Sequence, residues 1–157
     1  MTREEKFMEA AITLAEKSIA KEEGGPFGCV IVKDNKIIGR GNNQVLLTND
    51  PTAHAEIIAI RDACNQLGSY QLDGCEIYTS CEPCPMCLGA IYWARPEIIY
   101  YGNTKEDAAK IGFDDSMIYE EIKTNHNDRK IPAINISRKE ANASFKAWYK
   151  KDNKKLY

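Results

Sequence analysis

No stretch of this chain is apolar for long. The longest such run, Met86 to Ala94, has nine residues, and a membrane-crossing helix needs about 20. Nor is there a basic excess. The 21 Lys and Arg face 23 Asp and Glu, for a net charge of −2 and a pI near 5.8, which argues against a dedicated nucleic-acid binder. The first twenty residues carry Arg3, Glu4, Glu5, Lys6, Glu9, Glu16 and Lys17 and no apolar block of the export type. The cytoplasm is therefore the expected compartment. No internal repeat or low-complexity segment interrupts the 157 residues, a length that fits one domain with an ordinary buried core. With 43% hydrophobic and 28% charged residues, the composition is globular rather than disordered. Histidine is scarce, with only His54 and His126 present. Cysteine is not: Cys29, Cys64, Cys75, Cys81, Cys84 and Cys87 make six. The last three sit at two-residue gaps, which suits metal binding in a reducing compartment better than a disulfide framework.

Hydrophobic periodicity orders the rest. Residues 4–20 read as an amphipathic helix through Phe7, Ala11, Leu14, Ala15 and Ser18, stopped by Gly24-Gly25-Pro26. Residues 27–33 and 36–41 read as a hairpin turning at Asp34-Asn35, followed by a polar loop over 42–51. Thr52 is the expected N-cap of a second helix whose Ile57, Ile60, Cys64 and Leu67 repeat at helical spacing and which ends at Gly68. A strand over 75–80, a proline-started helix to Ala94 and a strand over 97–101 follow. Beyond Tyr101 the pattern weakens to short helices near 105–110 and 116–122, a polar loop, a strand over 131–136 and a helix from about 138. This order predicts an α/β fold, a mixed sheet with helices on both faces. The last thirty residues hold nine Lys or Arg against Asp128, Glu140 and Asp152, a local excess of six. That excess reads either as a solvated helix face or as a docking arm for a polyanion or a partner subunit.

Two constellations carry chemistry. One is His54-Ala55-Glu56 in the first turn of the second helix. The other is Cys81-Glu82-Pro83-Cys84-Pro85-Met86-Cys87, where a strand passes into a helix. Imidazole and thiolate are zinc ligands. Cys84 and Cys87, three apart at a helix start, face one side, and a helix N-terminus favours thiolate. An iron–sulfur site needs a fourth cysteine at position 91, which is isoleucine. A closed structural zinc site would use His54 with Cys81, Cys84 and Cys87. A catalytic site would use three of these four and leave one position for water. Only the catalytic reading employs Glu56, as a general acid/base for that water. Residues two apart point about 200° apart on a regular helix. His54 and Glu56 can therefore serve one site only from the helix's N-terminal end.

H-x-E with P-C-x-x-C is the signature of the zinc nucleobase deaminases. Residues 49–56 and 82–90 resemble both the tRNA adenosine deaminases and the small bacterial guanine deaminases. Residues 68–72, 91–96 and 112–119, with Trp148 and the final Tyr157, resemble the guanine deaminases. The similarity covers essentially the whole chain. It implies a cytidine-deaminase-like three-layer α/β/α sandwich around a mixed sheet, with one zinc per subunit on His54, Cys84 and Cys87. Glu56 becomes the proton shuttle and Cys81 a small buried residue. The implied reaction is hydrolysis of guanine to xanthine and ammonia, with Asp115 as a second proton carrier; as its alternative, Asp115 is a helix N-cap. Asn43 matches a purine-binding asparagine, with a slip to Asn42 left open. Phe27 is a stacking candidate or a core residue, and Trp93 and Tyr157 are pocket-wall candidates. His126 reads as solvated. The resemblance further implies a homodimer in which an arm from about residue 124 to 157 is swapped onto the neighbour, a purine substrate, and neither a membrane nor a nucleic-acid partner. The rival readings are tRNA adenosine deamination, deamination of cytosine, guanosine or a pterin, and a non-enzymatic zinc module closed by Cys81.

Overall fold

The computed structural model describes residues 1–157 and groups them as two compact units, Met1–Asp115 and Ser116–Tyr157. In the first unit, α1 (Arg3–Ala20) opens with a capping box: Thr2 Oγ1 accepts from the Glu5 N–H at 3.2 Å, and the Glu5 carboxylate accepts from the Thr2 N–H at 2.6 Å. The hairpin β1 (Gly28–Lys33) and β2 (Lys36–Asn42) turns through Asp34 (φ 48°) and Asn35 (φ 60°), the left-handed pair that a two-residue turn requires. A single helical turn, α2 (Val45–Thr48), lies inside the expected polar loop. Then come α3 (Ala55–Leu67), β3 (Cys75–Cys81), α4 (Pro85–Ala94), β4 (Ile98–Asn103) and α5 (Lys105–Lys110).

The strands form one sheet in the order β2-β1-β3-β4, antiparallel except for the β3–β4 pair joined through α4. Alternation sorts side chains onto two faces. Val30, Val32 and Tyr78 meet Ala11, Phe7 and Leu14 of α1 on one face. Cys29, Ile31, Cys75 and Ile77 meet Ala55, Ala59, Ala63 and Ile91 of α3 and α4 on the other. This is the expected three-layer arrangement.

Two details differ from expectation. The helix carrying His54 starts at Ala55 with His54 as N-cap, not at Thr52. Thr52 is held in a turn instead, where its N–H and Oγ1 donate to the Asp50 carboxylate at 2.8 and 2.7 Å. The most buried face of α3 is also not the Ile57–Leu67 row but Ala55, Ala59 and Ala63. The reason lies on β2, where Gly39 and Gly41 let the helix backbone approach. A Cβ on Gly41 would stand 2.6 Å from the Ala59 nitrogen and closer still to the Ala55 carbonyl, and one on Gly39 would stand 2.7 Å from the Ala63 Cβ.

The second unit contains α6 (Ser116–Lys123), a 3-10 turn at His126–Asp128 that leaves His126 exposed, and α7 (Arg138–Tyr149). The expected strand over 131–136 is absent. These residues have no ladder partner in the chain, and Pro132 lacks the N–H that a ladder uses.

A polar cluster anchors α1 to the sheet. Arg3 donates to Glu76 at 2.9 and 3.2 Å, to Tyr78 at 3.2 Å, and to Asn35. The guanidinium holds the Glu76 carboxyl below its ordinary value of 4.5, with help from the Tyr78 hydroxyl. Glu76 therefore contributes its full stabilisation above that ordinary pKa and loses it as pH falls through the lowered native one. We expect the unfolding midpoint of Glu76→Gln to fall less than the wild type's between about pH 6 and about pH 3. We also expect Gly41→Ala to destabilise by about 1–3 kcal/mol in urea unfolding, because α3 must move away from β2.

Candidate metal centre and active site

Two helix starts converge here. His54 is the N-cap of α3 and Cys84 the N-cap of α4, and neither makes the usual side-chain cap. Both have extended backbone (ψ 156° and 167°), and both carbonyls accept the first helical bond, from Ile58 at 3.0 Å and Leu88 at 2.8 Å. Pro85 at the first helical position fixes the entry into α4 without losing a hydrogen bond. Cys87, one turn in, points the same way as Cys84. His54 Nδ1 lies 3.5 Å from each of the two sulfurs. The three donor atoms all lie within 4.8 Å of one another.

This spacing can be tested against zinc directly. Bonds of about 2.3 Å to sulfur and about 2.05 Å to nitrogen at a tetrahedral angle separate N from S by roughly 3.5 Å. The donor set and its spacing therefore fit zinc, with a fourth direction left to a non-protein ligand. Cys84 is lowered to about 4, first by the hydrogen bond from Cys87 and then by His54, while Cys87 is pushed up. His54 is raised in turn by the Cys84 sulfur. Helix N-termini favour the thiolate charge that a metal requires.

Cys81 stands apart from this group. Its thiol is buried, contacts the Thr104 carbonyl at 3.6 Å, and is pushed up to about 11 chiefly by burial. It is buried, as the resemblance implies, and lies outside the group of three donors formed by His54, Cys84 and Cys87.

Glu56 occupies the second position of α3 and is 6% exposed. It faces the same site as His54 from the helix's N-terminal end, as the two-residue spacing requires. Burial raises its pKa, and the Cys87 thiol and the Thr79 hydroxyl oppose that rise. Thr79 Oγ1 donates to Glu56 Oε1 at 3.1 Å. Thr79 escaped the sequence reading, although a threonine on a buried strand face is itself a signal, because the hydroxyl needs a partner. Ser80, also missed, accepts from the Gly28 N–H at 3.0 Å and ties β3 to the start of β1.

The remaining sequence candidates distribute unevenly. The Asn42 side chain is committed to the fold, donating to Glu23 at 2.6 Å. Asn43, the next residue, is buried with its Oδ1 accepting from the Val45 N–H at 3.2 Å. Phe27 meets Phe113 edge to face, with ring centroids 5.0 Å apart, and packs partly against the core beneath α3. Asp115, at the end of the first unit, is half-buried. Its carboxyl is raised by burial and then by the Cys84 sulfur. Trp93 is on α4 and 64% exposed; Tyr157 is in the second unit and 67% exposed.

Known proteins with this arrangement are informative. The family model for the cytidine and deoxycytidylate deaminase zinc-binding region matches residues 1–103. A guanine deaminase of Bacillus subtilis is 55% identical over 98% of both chains. The crystal structure of guanine deaminase from that organism superposes with a TM-score of 0.95, again over 98% of each chain. Guanine deaminase from Nitrosomonas europaea is 33% identical with a TM-score of 0.65, over 69% of this chain and 63% of that one. A tRNA-specific adenosine deaminase of Agrobacterium fabrum is 45% identical, but over 61% of this chain and 62% of its own. A histidine and two cysteines spaced for zinc, a buried carboxylate beside them and a three-layer fold thus coincide with sequence similarity along the whole length: the chain belongs to the zinc-binding cytidine and deoxycytidylate deaminase family.

Proposed function

We propose that this protein hydrolyses guanine to xanthine and ammonia, a step of purine breakdown or salvage. One observation carries the assignment: the 55% identity to a guanine deaminase extends over 98% of the chain, well past the family region that ends at residue 103. The tRNA-specific adenosine deaminase similarity covers 61%. The chain's net negative charge also disfavours a tRNA substrate, whose phosphates call for basic contacts.

His54, Cys84 and Cys87 would hold one zinc ion per subunit. A zinc ion bound there would acidify a water, from a pKa of 15.7 to about 7, which is the chemistry it would supply at neutral pH. Glu56 does the proton work. Its carboxylate takes the water's proton and delivers it to N3 of guanine as C2 becomes tetrahedral, then takes the proton of the hydroxyl now on C2 and passes it to the amino group, which departs as ammonia while C2 becomes a carbonyl. Burial suits it to this, because a raised pKa brings a glutamate closer to the pH at which it must both accept and donate. Asp115 assists departure of the amino group, a poor leaving group until it is protonated to leave as ammonia. Its raised pKa and its position in the field of Cys84 support that role. The Asn43 amide donates to and accepts from the purine edge, the choice over Asn42 resting on the latter's commitment to Glu23. Phe27 stacks on the base and Trp93 lines the pocket wall, while Tyr157, on the arm, is offered to the neighbouring subunit's site.

The working unit is a cytoplasmic homodimer in which an arm from about residue 124 onward packs on the neighbouring subunit. Ile131, Ile134, Ile136, Phe145 and Tyr149 are all more than three-quarters exposed, and such a set of apolar side chains calls for a covering surface.

The test is ammonia release from guanine by zinc-loaded protein, with Glu56→Gln as the paired control. Wild-type turnover is expected, with the variant slower by roughly 10²- to 10⁴-fold and its zinc content unchanged. Activity on adenosine in a tRNA stem-loop without activity on guanine would reassign the substrate, and a fully active Glu56→Gln would defeat the mechanism.

A further inference from the structure

Alternation along β3 sends Cys75 and Ile77 into the core beneath α3 and α4, and the next inward position places a hydroxyl there, that of Thr79. Thr79 is 1% exposed. Its Oγ1 donates to Glu56 Oε1 at 3.1 Å, linking a central strand to the first turn of α3. The platform beneath this bond is rigid. Thr79 is in register with Cys29 on β1 and with Tyr101 on β4, so strands flank its backbone on both sides.

We propose that Thr79 is a positioning residue for the proton transfer: it holds Oε1 of Glu56, so that Oε2 is the oxygen that takes up and returns the proton. The inference rests on the acid/base reading of Glu56. A carboxylate that moves a proton from water to a ring nitrogen, and then toward an amino group, works best when the same oxygen meets all three partners. Rotation about the last side-chain bond exchanges the two oxygens. A hydroxyl that directs its hydrogen at Oε1 fixes the carboxylate plane and draws charge toward that oxygen's accepted hydrogen bond, which makes Oε1 less basic than Oε2. Oε2 is left as the basic site. Glu56 carries the proton, and Thr79 acts only through it.

Thr79→Val keeps the side chain's shape and removes the hydroxyl; Thr79→Ser keeps the hydroxyl and removes a methyl group. We expect Thr79→Val to lower kcat for guanine by about 10- to 100-fold, the scale of a small misplacement of a reacting group. KM should stay within about twofold, the pattern of an interaction made in the transition state, and zinc per chain and thermal unfolding should match wild type. Thr79→Ser should restore most of the wild-type kcat. Unchanged kcat in Thr79→Val, alongside an inactive Glu56→Gln, overturns the proposal while leaving the role of Glu56 standing. A serine variant as slow as the valine variant overturns it too, since packing would then be the cause. So does loss of zinc from Thr79→Val, which would make the threonine a support of the metal centre. An active Glu56→Gln overturns the proposal together with the reading it rests on.

Discussion

Everything at the site depends on how closely α3 can approach the sheet. Gly39 and Gly41 on β2 face Ala55, Ala59 and Ala63 on α3, and no larger side chain fits between them. The approach is a backbone contact and tolerates little slack. It sets the height at which α3 begins and so where His54 leaves the loop. On the other side, β3 ends at Cys81 and α4 begins four residues later, with proline fixing the turn. The two helix starts then stand opposite one another, and His54 Nδ1 comes within 3.5 Å of both sulfurs.

The same geometry divides the charges. Both N-caps forgo the usual capping side chain and offer donor atoms instead, and the Cys87 backbone N–H favours the Cys84 thiolate. Glu56 lies deeper, between a strand hydroxyl and Cys87, where burial holds its proton more tightly than water would. A second carboxyl, Asp115, is raised by burial and then by the Cys84 sulfur.

Much of this was legible in the residues. The hairpin followed from Asp34-Asn35 and the α4 start from Pro85, while spacing left the choice among His54, Cys81, Cys84 and Cys87 open and the deaminase signature singled out the three that the fold groups together. The true buried face of α3 was hidden by its larger residues. Ile57 and Ile60 draw the eye to one stripe, whereas alanines every four residues against glycines two apart mark the closer contact. Thr79 was overlooked because its partner lies 23 positions away in sequence. The strand over 131–136 was overcalled because alternation alone does not make a strand; a neighbouring edge does. Trp93 and Tyr157 show the limit of resemblance: it marks residues, and one folded chain leaves both rings largely exposed.

The central claim is a zinc centre of one histidine and two cysteines that remains open to a non-protein ligand. X-ray absorption at the zinc edge on the purified full-length protein reads that directly. The account predicts two sulfurs at about 2.3 Å and, for the rest of the shell, light atoms near 2.0–2.1 Å. A shell with three sulfurs would bring Cys81 into the coordination sphere, close the site, and contradict the catalytic reading.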